Sequence, residues 1–261
     1  MRHDRPGSVL APLVRSWRCG LLLLIAIGSM ALVWSLPPIA QDPNYHLFAD
    51  RRGLFGIPNA FNVLSNLPFA AVGSCGIRLC LGPRIITPRA AWLLFFSAAA
   101  LVGIGSAVYH WQPADPTLAW DRLPMAIGFM CLLTAILGDY LSPRLATLLL
   151  VPAILLGGFS VLYWQLSGDL RLYAWVQFFP LVMLPPLMLL FRGRHTHSWL
   201  QAAAFACYLA AKCAELYDRE LFAWSREIIS GHSLKHLLAA TGLYALVLMV
   251  KQRKPRDAAQ P

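Results

Sequence analysis

The sequence predicts an all-α membrane protein, a seven-helix core preceded by one extra helix. Three observations predict it. Of the 261 residues, 58% are hydrophobic and 13% charged, against about 25% charged in a soluble domain. The apolar residues gather in eight runs, each long enough to cross a hydrocarbon layer of about 30 Å. Lys and Arg collect between those runs and at the chain ends, as they do in cytoplasmic loops. The formal charge of +10 therefore belongs to topology. No basic stripe interleaved with aromatic residues appears, so no nucleic-acid partner is expected; the bilayer is the partner. The six cysteines lie in apolar runs and form no CxxC pair, which reads as small hydrophobes rather than a disulfide framework.

Residues 1–18 form a basic segment carrying Arg2, Arg5, Arg15 and Arg18. Residues 19–36 are apolar and break at Pro37-Pro38. That length suits a spanning helix or signal anchor, and it also suits a signal-peptide core; the poor A-x-A pattern favours an uncleaved helix. A polar loop follows over 41–58. The core, 42–250, then holds runs at 59–81, 88–111, 119–141, 145–164, 171–191, 198–217 and 232–250. Pro68, Pro124, Pro152, Pro180, Pro185 and Pro186 fall inside them, which membrane helices tolerate because neighbouring groups satisfy the freed carbonyls. Residues 251–261 form a basic, disordered tail.

Charge sets the orientation. With the N-terminus inside, the cytoplasmic segments carry fourteen Lys and Arg and the opposite face carries six. Both chain ends are then cytoplasmic, and in a bacterial host the membrane is the inner one. This orientation gathers three run ends on the outer face. The run at 88–111 ends in Ser106-Ala-Val-Tyr-His110-Trp111, the next begins with Trp120-Asp121-Arg122, and the last opens with His232-Ser-Leu-Lys-His236.

On a helix, His232 and His236 share one face with Cβ atoms about 5–6 Å apart. They can clasp one metal ion, or serve as interfacial histidines bonded to loops. With His110 as a third ligand and an open fourth position they make a catalytic zinc site. Ser106 sits one turn below His110 and can stabilise an oxyanion; the alternative is a helix-packing serine. Asp121 can act as a base towards water; the alternative is a carboxylate favoured by a helix N-terminus. Near the hydrocarbon boundary, these parts suit hydrolysis of an acyl bond in a lipid.

The pair Ser106-x-x-x-His110, Asp121 eleven residues beyond it, and His232-x-x-x-His236 together resemble the alkaline ceramidase family, within a wider superfamily of seven-helix membrane hydrolases and receptors. Phe61-Asn62-Val63-Leu64-Ser65-Asn66 also resembles that family's first core helix. The resemblance implies zinc on His110, His232 and His236, oxyanion stabilisation by Ser106, water activation by Asp121, and cleavage of ceramide to a sphingoid base and a fatty acid. It also raises calcium, which eukaryotic members bind through an acidic segment before the first core helix, a segment from which this chain departs. Here Asp42, Asp50 and Asn59 offer oxygens, while Arg51 and Arg52 oppose a cation that wants about 6–8 oxygen ligands.

Other residues carry local expectations. Lys212 and Glu215 form an i,i+3 pair; Glu215 or Asp218 can accept from a ligand histidine. Lys235 is expected to snorkel to the interface. Trp111, Trp120, Trp164, Trp175 and Trp224 read as an aromatic belt, and His195-Thr196-His197 as a solvated loop. Asp139 has no assigned role. The competing reading is a receptor-like or lipid-binding protein with structural zinc. A haem carrier ranks below it, because histidines four apart on one helix cannot bind opposite haem faces. A transporter lacks its repeated broken-helix pair.

Overall fold

The computed structural model describes residues 16–256. The basic residues Arg2, Arg5 and Arg15 and the tail beyond Arg256 lie outside the described residues. The chain forms α1 (Trp17–Ser35), α2 (Ala60–Leu64), α3 (Leu67–Leu81), α4 (Arg89–Trp111), α5 (Asp115–Tyr140), α6 (Pro143–Ser167), α7 (Arg171–Leu190), α8 (Trp199–Leu216), α9 (Asp218–Trp224) and α10 (Gly231–Gln252). Among the described residues there is no β-strand, and the fold is an all-α polytopic bundle. Seven spans are long and apolar enough to cross a membrane, taking α2 and α3 as one. The 18-residue α8 is not one of them, because Gln201, Lys212 and Glu215 lower its hydropathy. It completes the bundle by packing along α10.

The prolines explain several boundaries. The expected single helix over 59–81 is broken at Ser65-Asn66 into α2 and α3. Pro68, second in α3, has no N–H to donate, and its ring excludes the carbonyl four residues back. The helix expected from 119 starts earlier, at Asp115. Pro116 is preorganised for a first turn, and Thr117 Oγ1 accepts from the Ala114 N–H at 3.1 Å. Asp121 therefore lies in the second turn of α5, too deep to serve as a helix-end carboxylate.

Helix α5 is the most buried of the spans and packs against α4, α6 and α7. Helix α3 joins α4 to α10, and α10 carries α8. The extra helix α1 rests on α7, tied by the Leu170 N–H to the Ile39 carbonyl at 2.8 Å. The consecutive helices α7 and α8 each pack mainly on other partners, and a cavity opens between them.

Asp139, unassigned from sequence, receives a hydrogen bond from Arg253 Nη1 at 2.7 Å. Both side chains are buried, and Arg253 Nη2 donates to the Thr87 carbonyl. The beginning of the expected disordered tail is thus ordered through Arg256, where a backbone bond to Arg194 closes it onto the 192–198 loop.

Candidate functional site

The antiparallel succession of helices brings the end of α4 and the starts of α2, α5 and α10 to one end of the bundle. There, His110, His232 and His236 converge. All three are buried, and one ring nitrogen from each lies within 4.8 Å of the others. The Nε2 atoms of His110 and His232 are 3.2 Å apart. Two nitrogens each about 2.0–2.1 Å from a tetrahedral metal would stand about 3.3 Å apart, so this pair has the spacing of ligands.

Local chemistry fixes each ring. Helix α10 is capped by Ser230, whose Oγ accepts from the Ser233 N–H. The Asp218 carboxylate accepts from the His232 N–H at 2.7 Å, satisfying another donor that a helix start leaves open. Gly231 lets α10 reach this position. A Cβ there would meet the Ala214 carbonyl oxygen at 2.1 Å and Asp218 Cα at 2.6 Å. Asn59 Nδ2 donates to the His110 carbonyl at 2.9 Å, closing the end of α4.

The break between α2 and α3 serves the site. Ser65 Oγ donates to the Asn62 carbonyl at 3.1 Å and lies 2.8 Å from Nδ1 of His236. With its own proton committed, the serine oxygen accepts from Nδ1–H. The Nε2 lone pair of His236 is left for a metal. Asn62 Oδ1 accepts from Ser233 Oγ and Asn62 Nδ2 donates to the Asp50 carbonyl, locking α2 to α10 and to the preceding loop. Phe48 from that loop covers the His110 and His232 rings, with centroids 4.7 and 4.6 Å away.

Gly105 does for Asp121 what Gly231 does for His232. A Cβ on Gly105 would lie 2.1 Å from the Trp120 carbonyl oxygen, so only glycine lets α5 approach α4 here. The buried Ser106 and Asp121 are thereby carried on two helices in close contact. Ser106, Asp121 and His236 all border a cavity of about 390 Å³. It runs from Tyr45 and Asp121 to Ile136 and Gln201. Fifteen residues of α5 separate Asp121 from Ile136, about 22 Å of helix. Gln201, which borders it, accepts a hydrogen bond from Tyr140 at 2.8 Å.

Three expectations change. Lys235 does not reach away to the interface: Nζ donates to Glu215 at 2.9 Å and faces His232 Nε2 at 3.1 Å. That lone pair thus already faces a cationic group. Glu215 does not support a histidine ring. It pairs with Lys212 and Lys235. Asp218 meets the His232 backbone rather than the imidazole, and its second oxygen accepts from the Ala49 N–H. The residue that supports a ring is Ser65, which sequence reasoning placed in a resembling segment without a role. His46 stays in the loop, bonded to Tyr109. Of the groups considered for calcium, both Asp50 oxygens accept from Arg52, Asp42 Oδ1 accepts from the Asn44 N–H, and the Asn59 amide nitrogen donates to the His110 carbonyl.

A buried set of three imidazoles, one of them bordering the cavity, can hold a metal ion, and the family comparison agrees in kind. The chain matches the family described as Ceramidase over residues 56–257. It belongs to the ceramidase family. No curated protein matches the chain. The ceramidase match takes in every helix from α2 to α10, and with them all five of the residues singled out from the sequence. It makes the protein a multi-pass, ceramidase-like hydrolase of the membrane.

Proposed function

We propose that this protein is a zinc-dependent amidohydrolase that cleaves ceramide or a related N-acyl lipid into a fatty acid and a sphingoid base or other amine. The observation that carries the reading is the convergence of His110, His232 and His236 beside a cavity onto which Ser106 and Asp121 open. The donor set suits zinc, which favours imidazole nitrogen and four-coordinate sites with one open position. When bound, zinc supplies Lewis-acid chemistry near neutral pH.

The chain's own residues divide the remaining work. The imidazoles act as neutral donors, with Ser65 directing the His236 lone pair. Asp121 takes the proton of the attacking water and returns it to the leaving nitrogen. The Ser106 hydroxyl, bordering the same cavity, donates to the carbonyl oxygen as that oxygen gains charge. The apolar cavity accepts the chain, and the separation of α7 from α8 offers a lateral way in from the bilayer. Phe48 keeps bulk water off two of the rings. The Lys and Arg distribution supports cytoplasmic chain ends, with this site on the opposite face.

The test is a panel of ceramides, phytoceramide, N-acyl amino lipids and phospholipids incubated with purified protein, with released fatty acid identified by mass spectrometry. Release from amide lipids that is lost on chelation and restored by zinc supports the reading. Full activity in metal-free protein, or release from no lipid, sinks it.

A further inference from the structure

Arg122 follows Asp121 and borders the same cavity. Its side chain is buried, and among the described residues it forms no ion pair. A buried cation without a counter-ion is costly. Part of that cost is met by aromatic faces: the guanidinium carbon lies 4.2 Å from the Trp164 ring centroid, 4.9 Å from Tyr173 and 5.5 Å from Tyr45. Nη2 donates to Gln41 Oε1 at 2.7 Å. Nη1 is buried and has no partner. The faces and one edge of the fork are therefore occupied, and one strong donor of this cavity-lining residue is left without a partner. Around that cavity Arg122, Lys212 and Lys235 face only Asp121 and Glu215, an excess of positive charge before any metal is bound.

We infer that Arg122 is a binding site for an anionic group on the amine side of the substrate, a carboxylate, sulfonate or phosphate close to the scissile amide. This rests on the amidohydrolase reading and narrows it. The preferred substrate is an N-acyl lipid whose head group bears an acid, ahead of a neutral ceramide. Asp121 and Arg122 both border this cavity, so the group handling the proton and the group holding the charge serve one site. A guanidinium can bind such an anion by a charge-assisted hydrogen bond, and the aromatic enclosure strengthens that bond by excluding water.

The experiment compares N-palmitoylglycine with N-palmitoylethanolamine, which share a chain and an amide and differ in the carboxylate. Full-length zinc-loaded protein, Arg122→Gln and Arg122→Lys are assayed in mixed micelles. Wild type should favour the glycine conjugate in kcat/KM. Arg122→Gln should lower the ratio of the two kcat/KM values by about tenfold or more, the scale of one lost charge-assisted bond, chiefly through KM for the anionic lipid. Arg122→Lys should keep part of the ratio. A purely structural arginine would lower both substrates together; an unchanged ratio overturns the proposal, as does a wild-type preference for the neutral lipid.

Equilibrium binding of N-palmitoylglycine, N-palmitoylethanolamine and palmitate to chelated protein separates the two readings. If wild type hydrolyses neither of these lipids nor any amide lipid of the wider panel, the hydrolase reading fails; hydrolysis of ceramide but of neither of these two overturns the head-group assignment. Arg122-dependent binding of N-palmitoylglycine over the ethanolamide would still uphold the anion site. Arg122-dependent binding of palmitate alone would assign the site to the product carboxylate and overturn the head-group assignment.

Discussion

Ser65 Oγ stands 2.8 Å from Nδ1 of His236, and its own proton is committed to the Asn62 carbonyl. This relationship fixes both the tautomer and the orientation of one of the three converging rings. It exists because the first core span is interrupted where it passes α10. An unbroken helix through position 65 would carry the serine in a different direction.

Removing that support should weaken metal binding without unfolding the protein. Ser65→Ala deletes one hydroxyl at a helix break and leaves the three imidazoles in place. Loss of such a supporting bond to a metal-ligating histidine costs about 10–100-fold in affinity. Zinc competition with a chromophoric chelator should read a shift of that size, with the thermal midpoint of the metal-free protein little changed. An affinity equal to wild type would mean that the serine does not set the ring.

Gly231 is required by distance rather than by backbone dihedral. A methyl group there would press on the Ala214 carbonyl and Asp218 Cα, both backbone atoms that cannot rotate away. Gly231→Ala should push the start of α10 off α8 and α9, moving His232 from its partners. Overpacking costs about 1–3 kcal/mol, and the expected result is a lowered midpoint together with substoichiometric zinc by atomic absorption. Gly158→Ala is the control. It is also helical, but nothing lies within 4 Å of its added Cβ, so it should retain full metal content and gain slightly from helix propensity.

Those two residues mark what the sequence could and could not tell. The bundle was legible because apolar runs of spanning length have few alternatives in a chain this poor in charge. The histidine triad was legible because i,i+4 spacing and a shared membrane face are local facts that charge asymmetry converts into proximity. Pairings through space were not. Lys235 finds Glu215 on another helix, so its expected route to the interface could not be corrected from its own neighbours. Asp139 finds Arg253 across 114 positions. The box around Arg122 takes one ring each from the loop before α2, from α6 and from α7. The break before Pro68 and the early start of α5 at Pro116 did have local signals, in prolines placed one residue into a first turn.

The Asp139–Arg253 pair should anchor the end of α10 to the end of α5. Both side chains are buried, so deleting one leaves the other charged and desolvated, a loss of about 3–5 kcal/mol. Asp139→Ala should lower stability by that order in a thermal or denaturant unfolding assay in detergent. Asp139→Leu combined with Arg253→Met removes both charges and should recover much of the loss. A single variant as stable as wild type would show that the pair is hydrated and contributes little.

Asp169, in the turn between α6 and α7, gives the fold a dependence on acid. Burial acts to raise its pKa, but the Arg171 N–H and guanidinium and the Ile39 N–H all bond to the charged form, and the net effect holds it below the ordinary carboxylate value. The distances are 3.0 and 2.8 Å to Arg171 and 3.2 Å to Ile39. A group whose pKa is depressed on folding stabilises the folded state above its unfolded value, about 3.9. That stabilisation is lost as pH falls through the folded value. Acidification should therefore loosen this turn and the segment that ties α1 to α7, with amide exchange at Ile39 and Leu170 rising first. Asp169→Asn removes the titrating group. It should be less stable than wild type at neutral pH, and the gap should close as both are taken to acid. A gap that stays constant down to the lowest workable pH would mean that the carboxylate titrates alike in the folded and unfolded chains, and the turn would then owe its order to Gly168 and the Leu170–Ile39 backbone bond instead.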